Sequence, residues 1–238
     1  MSSVGLVVLI SGRGSNALAI IDATVRGVVP AEVRAVIADR PAAGLDAAAD
    51  LGIDTALVPR DAFPDRGAFE RALAEVIEGF APDLLALAGF MRVLSPDFVA
   101  RFERRMVNIH PSLLPKFRGL DTHARALAAG DDEHGASVHW VIAELDAGPV
   151  IAQARVPVRP GDSPGTLADR VLEQEHRLYP AALALLLRNG VRDAHAPIHG
   201  HDDDDIAGDR ISSDDIPVLD RDFDDAGRRL GPGPGGNR

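Results

Sequence analysis

Gly5–Ile10 reads GLVVLI, an unbroken apolar run that stops at Ser11-Gly-Arg-Gly-Ser-Asn16. A short strand with no polar face must be covered by helices on both sides, and glycines at its end let the chain turn sharply into the next helix. The spacing predicts that helix over 16–26. Similar units follow. Val33–Ala38 reads as a second strand, Pro41–Leu51 as an alanine-rich helix and Thr55–Val58 as a third strand. Phe69, Ala72, Leu73, Val76, Ile77 and Phe80 recur at helical spacing. Asp83–Ala88 is another buried-strand run, Ser95-Pro96 offers an N-cap with proline at the first helical position, and Met106–His110 returns to strand. Strands alternating with helices indicate parallel βαβ units.

The pattern changes after Pro111. Ala136–Ile142 and Val150–Val158 are strand-like and are joined by the short connection 143–149, which permits only an antiparallel hairpin. Thr166-Leu-Ala-Asp169 has a capping-box pattern that would open a long helix to about Leu187. The expected fold class is α/β: an open, mostly parallel twisted sheet flanked by helices, Rossmann-like, with an antiparallel hairpin at one side. Ligands should gather at the carboxyl ends of the parallel strands, where strand order reverses.

Charge divides the chain. Overall, 25 Lys+Arg against 36 Asp+Glu give a net charge of −11, but residues 193–238 alone hold 12 Asp against 5 Arg, or −7, leaving −4 for residues 1–192. The expected organisation is a globular domain over 1–192 and an acidic, Gly/Pro-ending tail over 193–238. That tail has too few large apolar residues to offset its ordering entropy and is expected to be disordered. His199-Gly-His201 beside four aspartates reads as part of it. The acidic balance argues against a nucleic-acid-coating protein. The absence of cysteine excludes disulfides, thiolate metal sites and cysteine nucleophiles. Leu6–Ile10 is too short for a membrane span and no basic segment precedes it, so the expected address is the cytoplasm.

Four places can carry chemistry. In Ser11–Asn16 the glycines and the first-turn amides of the following helix can approach an anion, although the motif is neither a Walker loop nor G-x-G-x-x-G. Asn108 and His110 alternate on a strand and so share one face at its carboxyl end. An amide donor beside an imidazole suits acyl transfer, one holding an oxyanion while the other moves protons. Asp146, in the hairpin connection, is either a turn residue or a carboxylate that orients an imidazole. Glu175 shares a mainly apolar helical stripe with Val171, Leu178 and Ala182, so an inward charge there needs a partner or a ligand. His139 alternates with Ser137 and could support the same site. His123, His134 and His176 lack metal-ligand spacing with one another, and no metal is expected.

Taken in order, Ser11-Gly-x-Gly-Ser-Asn16, Ala88-Gly-Phe-Met-Arg92, Asn108-Ile-His-Pro-Ser-Leu-Leu-Pro115, Asp131-Asp-Glu-His-Gly135, Glu144-Leu-Asp-x-Gly-Pro149 and Gln174-Glu-His176 resemble the folate-dependent glycinamide ribonucleotide transformylases of the formyltransferase family. The resemblance spans roughly residues 4–190. It implies a phosphoribosylglycinamide formyltransferase of purine biosynthesis, with 10-formyltetrahydrofolate as co-substrate and glycinamide ribonucleotide as acceptor. On that resemblance Gly14, Ser15 and Asn16 would bind the nucleotide phosphate and Glu175 the ribose hydroxyls. Arg66, Met91, Arg92, Val93 and Leu94 would contact the folate, the last four largely through backbone. Asn108 and the loop Ala143, Glu144, Leu145 would meet the same folate. Asn108, His110 and Asp146 would be catalytic.

Leu172 departs from the pattern, standing where some relatives have a polar residue near the phosphate. The alternatives are a non-catalytic nucleotide-binding domain, or formylation of another amine such as methionyl-tRNA or an amino sugar. The Arg-Gly after Lys116-Phe117 looks partly like the transfer-RNA branch, but the acidic tail would repel tRNA. Arg13, Arg66, Arg92, Lys116 and Arg118 could give the strand ends a local positive field. Oligomeric state is not readable, and a homodimer stays open.

Overall fold

The computed structural model describes residues 3–188; the acidic segment 193–238 lies outside the described residues. Seven strands form one sheet: β1 (Val4–Ile10), β2 (Ala31–Ala38), β3 (Thr55–Leu57), β4 (Leu84–Leu87), β5 (Met106–His110), β6 (Glu133–Trp140) and β7 (Val150–Pro157). Their order is β3-β2-β1-β4-β5-β6-β7. The first five strands pair in parallel. β6 then runs antiparallel to β5 on one side and to β7 on the other. The sheet is therefore mixed but mostly parallel, and the order reverses between β1 and β4.

The helices are α1 (Ser15–Val25), α2 (Ala43–Asp50), α3 (Arg66–Gly79), α4 (Pro96–Arg101), α5 (Thr122–Ala129) and α6 (Pro164–Arg188). Strand alternation sorts the core into two layers. Leu6, Val8, Ile10, Val107 and Ile109 pack with Ile20 and Ile21 of α1 and with Leu178, Tyr179 and Leu183 of α6. Val7, Leu9, Leu85, Leu87 and Met106 face the opposite way, onto Phe69, Leu73 and Ile77 of α3 and Phe98 of α4. Each fully buried side chain of this size contributes about 1.5–3 kcal/mol, which favours this one register. The Tyr179 hydroxyl lies 3.1 Å from both Leu87 O and Val107 O, so α6 also grips the carboxyl end of β4 and the start of β5.

Two local readings need correction. The long helix starts at Pro164 rather than at a Thr166 cap. Ser163 takes that role: its hydroxyl accepts from the Thr166 amide at 3.2 Å, and the Thr166 hydroxyl accepts from the Ser163 amide at 2.9 Å. Proline fits the first turn because its missing N–H would have had no partner there. The sequence reading also left α5 out. Only Thr122 and Ala126 of that helix are buried, so its apolar stripe is too thin to read by period.

Candidate active site

The loop after β1 begins the site. Gly14 caps α1 in the left-handed region (φ 72°), and no side chain caps the helix. The first-turn amides of α1 are thus left to an external acceptor, the arrangement that binds anions. Gly44 packs against this glycine and donates its N–H to Gly12 O at 3.2 Å. A Cβ on Gly14 would sit 2.9 Å from Gly44 Cα. Gly14→Ala is expected to cost about 1–2 kcal/mol from the left-handed backbone alone, read as a lower urea midpoint. An unchanged midpoint would show that the loop relaxes freely.

Asn16, in the first turn of α1, and Glu175 of α6 meet although 159 residues apart, with Asn16 Nδ2 donating to Glu175 Oε2 at 2.6 Å. Burial pushes the Glu175 carboxyl up, and the Asn16 hydrogen bond offsets part of that rise. Asn16 Oδ1 is buried without a hydrogen-bond partner. The inward glutamate thus has an asparagine as its partner.

Asn108 and His110 stand at the end of β5, two strands from β1. Two inter-strand spacings are about 10 Å, so both residues open onto the same edge of the sheet as the glycine loop. His110 is buried, with Nδ1 3.4 Å from Asp146 Oδ2 and Nε2 3.0 Å from Phe117 O. Both oxygens only accept, so a protonated ring can satisfy both and a neutral ring only one. Asp146 turns inward from an exposed loop through a left-handed backbone (φ 48°), and its Oδ2 accepts from Gly119 N at 3.0 Å.

His139, opposite Asn108 on β6, completes the cluster. Its Nδ1 lies 2.9 Å from Trp140 O, which fixes the proton on Nδ1. Nε2 is then a bare acceptor, 3.1 Å from Asn108 Nδ2. Burial pushes the His139 imidazole down, outweighing the opposite pull of the Trp140 carbonyl and Asp146. The neutral ring therefore orients the Asn108 amide and leaves its second N–H free to donate.

The other expected residues line the flanks. Met91 and Val93 are exposed after β4, as is Leu145 in the hairpin loop with Ala143 and Glu144. Leu94 is buried, and Arg66 opens α3. Ser11 Oγ accepts from Met91 N at 2.8 Å, and Arg92 Nε donates to Asp39 Oδ2 at 2.5 Å, tying this segment to the ends of β1 and β2.

The expected positive field is largely neutralised. Arg66 pairs with Glu70, Arg92 with Asp39, Lys116 with Asp131 and Arg118 with Glu144, while Arg13 is exposed. Asp39, Glu70 and the Phe117 carbonyl escaped the sequence reading. For the two carboxylates the available signal was an acid at a strand end and one four residues after an arginine on a helix.

Behind this cluster His134 Nε2 lies 3.2 Å from His123 Nδ1. Burial pushes the His134 imidazole down from 6.5 to about 4, and His123 adds to the drop. Such a group is neutral in the fold but titrates near 6.5 once unfolded. Its contribution to stability is whole above 6.5 and is lost as pH falls toward 4. Between these values the Tm of wild type is expected to fall more than that of His134→Gln. Parallel curves would refute this assignment.

Residues 4–183 match the sequence profile of the family described as formyl transferase. The phosphoribosylglycinamide formyltransferase of Escherichia coli (strain K12) is 52% identical over 180 residues, 75% of this chain and 85% of that protein. The trifunctional purine biosynthetic protein adenosine-3 of Bos taurus is 45% identical over 188 residues, 79% of this chain but only 19% of that longer protein. The solved structure of the phosphoribosylglycinamide formyltransferase of Coxiella burnetii superposes with a TM-score of 0.73 at 50% identity, covering 77% of this chain and 86% of that one.

Proposed function

Since this chain belongs to the formyl transferase family, we propose that it transfers the formyl group of 10-formyltetrahydrofolate to the amine of glycinamide ribonucleotide. The observation that carries this reading is that His110 pairs with Asp146, and that Asn108 is joined to the same aspartate through His139, at the end of β5 on the edge of the sheet that also holds the Gly14 loop. The relatives' names support the same acceptor.

The residues fit both substrates. First-turn amides at Gly14–Asn16 suit a phosphate, and the buried Asn16–Glu175 pair suits ribose hydroxyls, with Asn16 Oδ1 still lacking a donor. Leu172 adds no polar contact, so the amides carry the phosphate. Met91, Val93, Ile142 and Leu145 are exposed apolar side chains on the loops after β4 and β6, of the kind a flat heterocycle packs on.

In the proposed reaction the nucleotide amine attacks the formyl carbon to give a tetrahedral intermediate, which collapses as the donor's C–N bond breaks. Holding both substrates on one sheet edge converts the encounter into an intramolecular step. Asn108 donates its free N–H to the developing oxyanion. His110 takes up the proton of the attacking amine and returns one to the departing nitrogen, and Asp146 keeps the ring aligned and stabilises its cation. No enzyme-bound acyl group enters this scheme.

The deciding assay follows deformylation of 10-formyltetrahydrofolate with glycinamide ribonucleotide, methionyl-tRNA or an amino-sugar nucleotide as acceptor. Turnover with the first alone is expected. Turnover with either of the others, or with none, would overturn the assignment.

A further inference from the structure

Two of the contacts that hold the His110–Asp146 pair come from backbone. Phe117 O lies 3.0 Å from His110 Nε2, and Gly119 N donates to Asp146 Oδ2 at 3.0 Å. Both backbone groups belong to the irregular segment 117–121 that leads into α5. That segment is a poor support by itself. Phe117 (φ 55°), Gly119 (φ 81°) and Asp121 (φ 57°) all lie in the left-handed region, which glycine adopts freely and phenylalanine does not. Leu120 beside them is 78% exposed, so little apolar burial anchors the turn.

Arg125, on α5, reaches back across this segment. Its Nη1 donates to Arg118 O at 2.6 Å and to Leu120 O at 3.2 Å. Its guanidinium carbon lies 5.4 Å from the centre of the Phe117 ring. The bonded carbonyls flank Gly119, and the ring belongs to the residue whose carbonyl meets His110. A planar guanidinium can lie on a ring and bond carbonyls at its edge together; an ammonium cannot. The first turn of α5 is an unfavourable place for a cation, at the positive end of the helix dipole, and the two carbonyls offset that. The other tie on the segment, Arg118 to Glu144, joins side chains 42% and 69% exposed, and so open an ion pair contributes little. Arg125 is exposed as well, but its acceptors are backbone atoms, so only one side chain has to be ordered.

We propose that Arg125 is a positioning residue for the formyl transfer: by bracing the segment 117–120 it holds the Phe117 carbonyl on His110 and the Gly119 amide on Asp146. This rests on the functional reading above. Arg125 touches no substrate and acts through backbone, so it should change the chemical step and leave both binding steps alone.

Arg125→Ala is read in two ways. In substrate-free enzyme, hydrogen exchange at the Gly119 amide should quicken about tenfold, while the Trp140 amide, bonded to Pro149 O at 2.9 Å, should keep its rate. In turnover with 10-formyltetrahydrofolate and glycinamide ribonucleotide, kcat should fall about five- to tenfold, with each KM within about twofold. In a His110→Ala background the same substitution should change kcat by less than about twofold, because the ring it aligns is gone. A merely structural role would give the same loss in both backgrounds.

Arg125→Lys, which keeps the charge but cannot bridge two carbonyls while lying on the ring, should move both readouts in the same direction. It decides the question alone should the alanine variant not fold. Unchanged exchange at Gly119, an unchanged kcat, an equal kcat loss in both backgrounds, or a raised KM at constant kcat would overturn the proposal. A wild-type enzyme inactive with these two substrates would instead bring down the functional reading, and the exchange rates would still decide whether Arg125 fixes the segment.

Discussion

His110→Ala is expected to slow kcat by about 10²–10⁴-fold, the usual worth of a positioned proton-transfer group. The KM for glycinamide ribonucleotide should hardly move, because the proposed nucleotide anchors are elsewhere, at the Gly14 loop and Glu175. The loss arises from geometry: the ring sits between a carboxylate and a carbonyl, Asp146 Oδ2 at 3.4 Å and Phe117 O at 3.0 Å. Removing it leaves both oxygens facing a gap and leaves no group to move the amine proton. Asp146→Asn is the matching variant. Asparagine tolerates the left-handed backbone at this position, so the change removes charge without forcing the loop to refold. Its kcat should also fall severely, and its Tm should stay near that of wild type. Near-normal turnover in either purified variant would dismiss the proton-transfer role. A rise in nucleotide KM without loss of kcat would move His110 from chemistry to binding.

Asn108→Ala is expected to add about 2.7–4 kcal/mol to the barrier, the cost of losing one oxyanion donor in a preorganised site. Two facts make the asparagine a prepared donor. One N–H is committed to His139 Nε2 at 3.1 Å, and that acceptor is fixed because His139 Nδ1 is engaged with Trp140 O at 2.9 Å. The other N–H therefore points in a set direction before substrate arrives. Asn108→Asp is the sharper contrast, since it replaces a donor with a charge that repels an oxyanion. Its kcat should be lower still than that of the alanine variant. An aspartate variant as active as wild type would show that the amide does not stabilise negative charge. The two substitutions also separate Asn108 from His139, since both leave the histidine's anchor at Trp140 intact.

Much of this was readable in one dimension. Unbroken apolar runs at Gly5–Ile10 and Asp83–Ala88 announce strands buried on both faces, because nothing else accommodates so many apolar side chains in so short a stretch. Alternation put Asn108 and His110 on one face and Ile109 on the other, and Ile109 does join the opposite core layer. The boundaries of α6 and the existence of α5 were less legible. A cap depends on which hydroxyl reaches which amide, and a helix with only Thr122 and Ala126 buried carries little periodic signal.

Local rules acting over a few residues set the strand–turn–helix units, their direction and which side chains share a strand face, as Asn108 and His110 do; those features are legible in one dimension. Partnership between distant groups the sequence by itself could not determine. Whether Glu175 meets Asn16, whether Arg92 stays free or pairs with Asp39, and whether Asn108 meets His139 depend on strand order and helix packing. Those contacts join residues tens to more than a hundred positions apart, and short-range preference carries no information about them. Only burial of both core layers around the seven-stranded sheet brings them within hydrogen-bond distance.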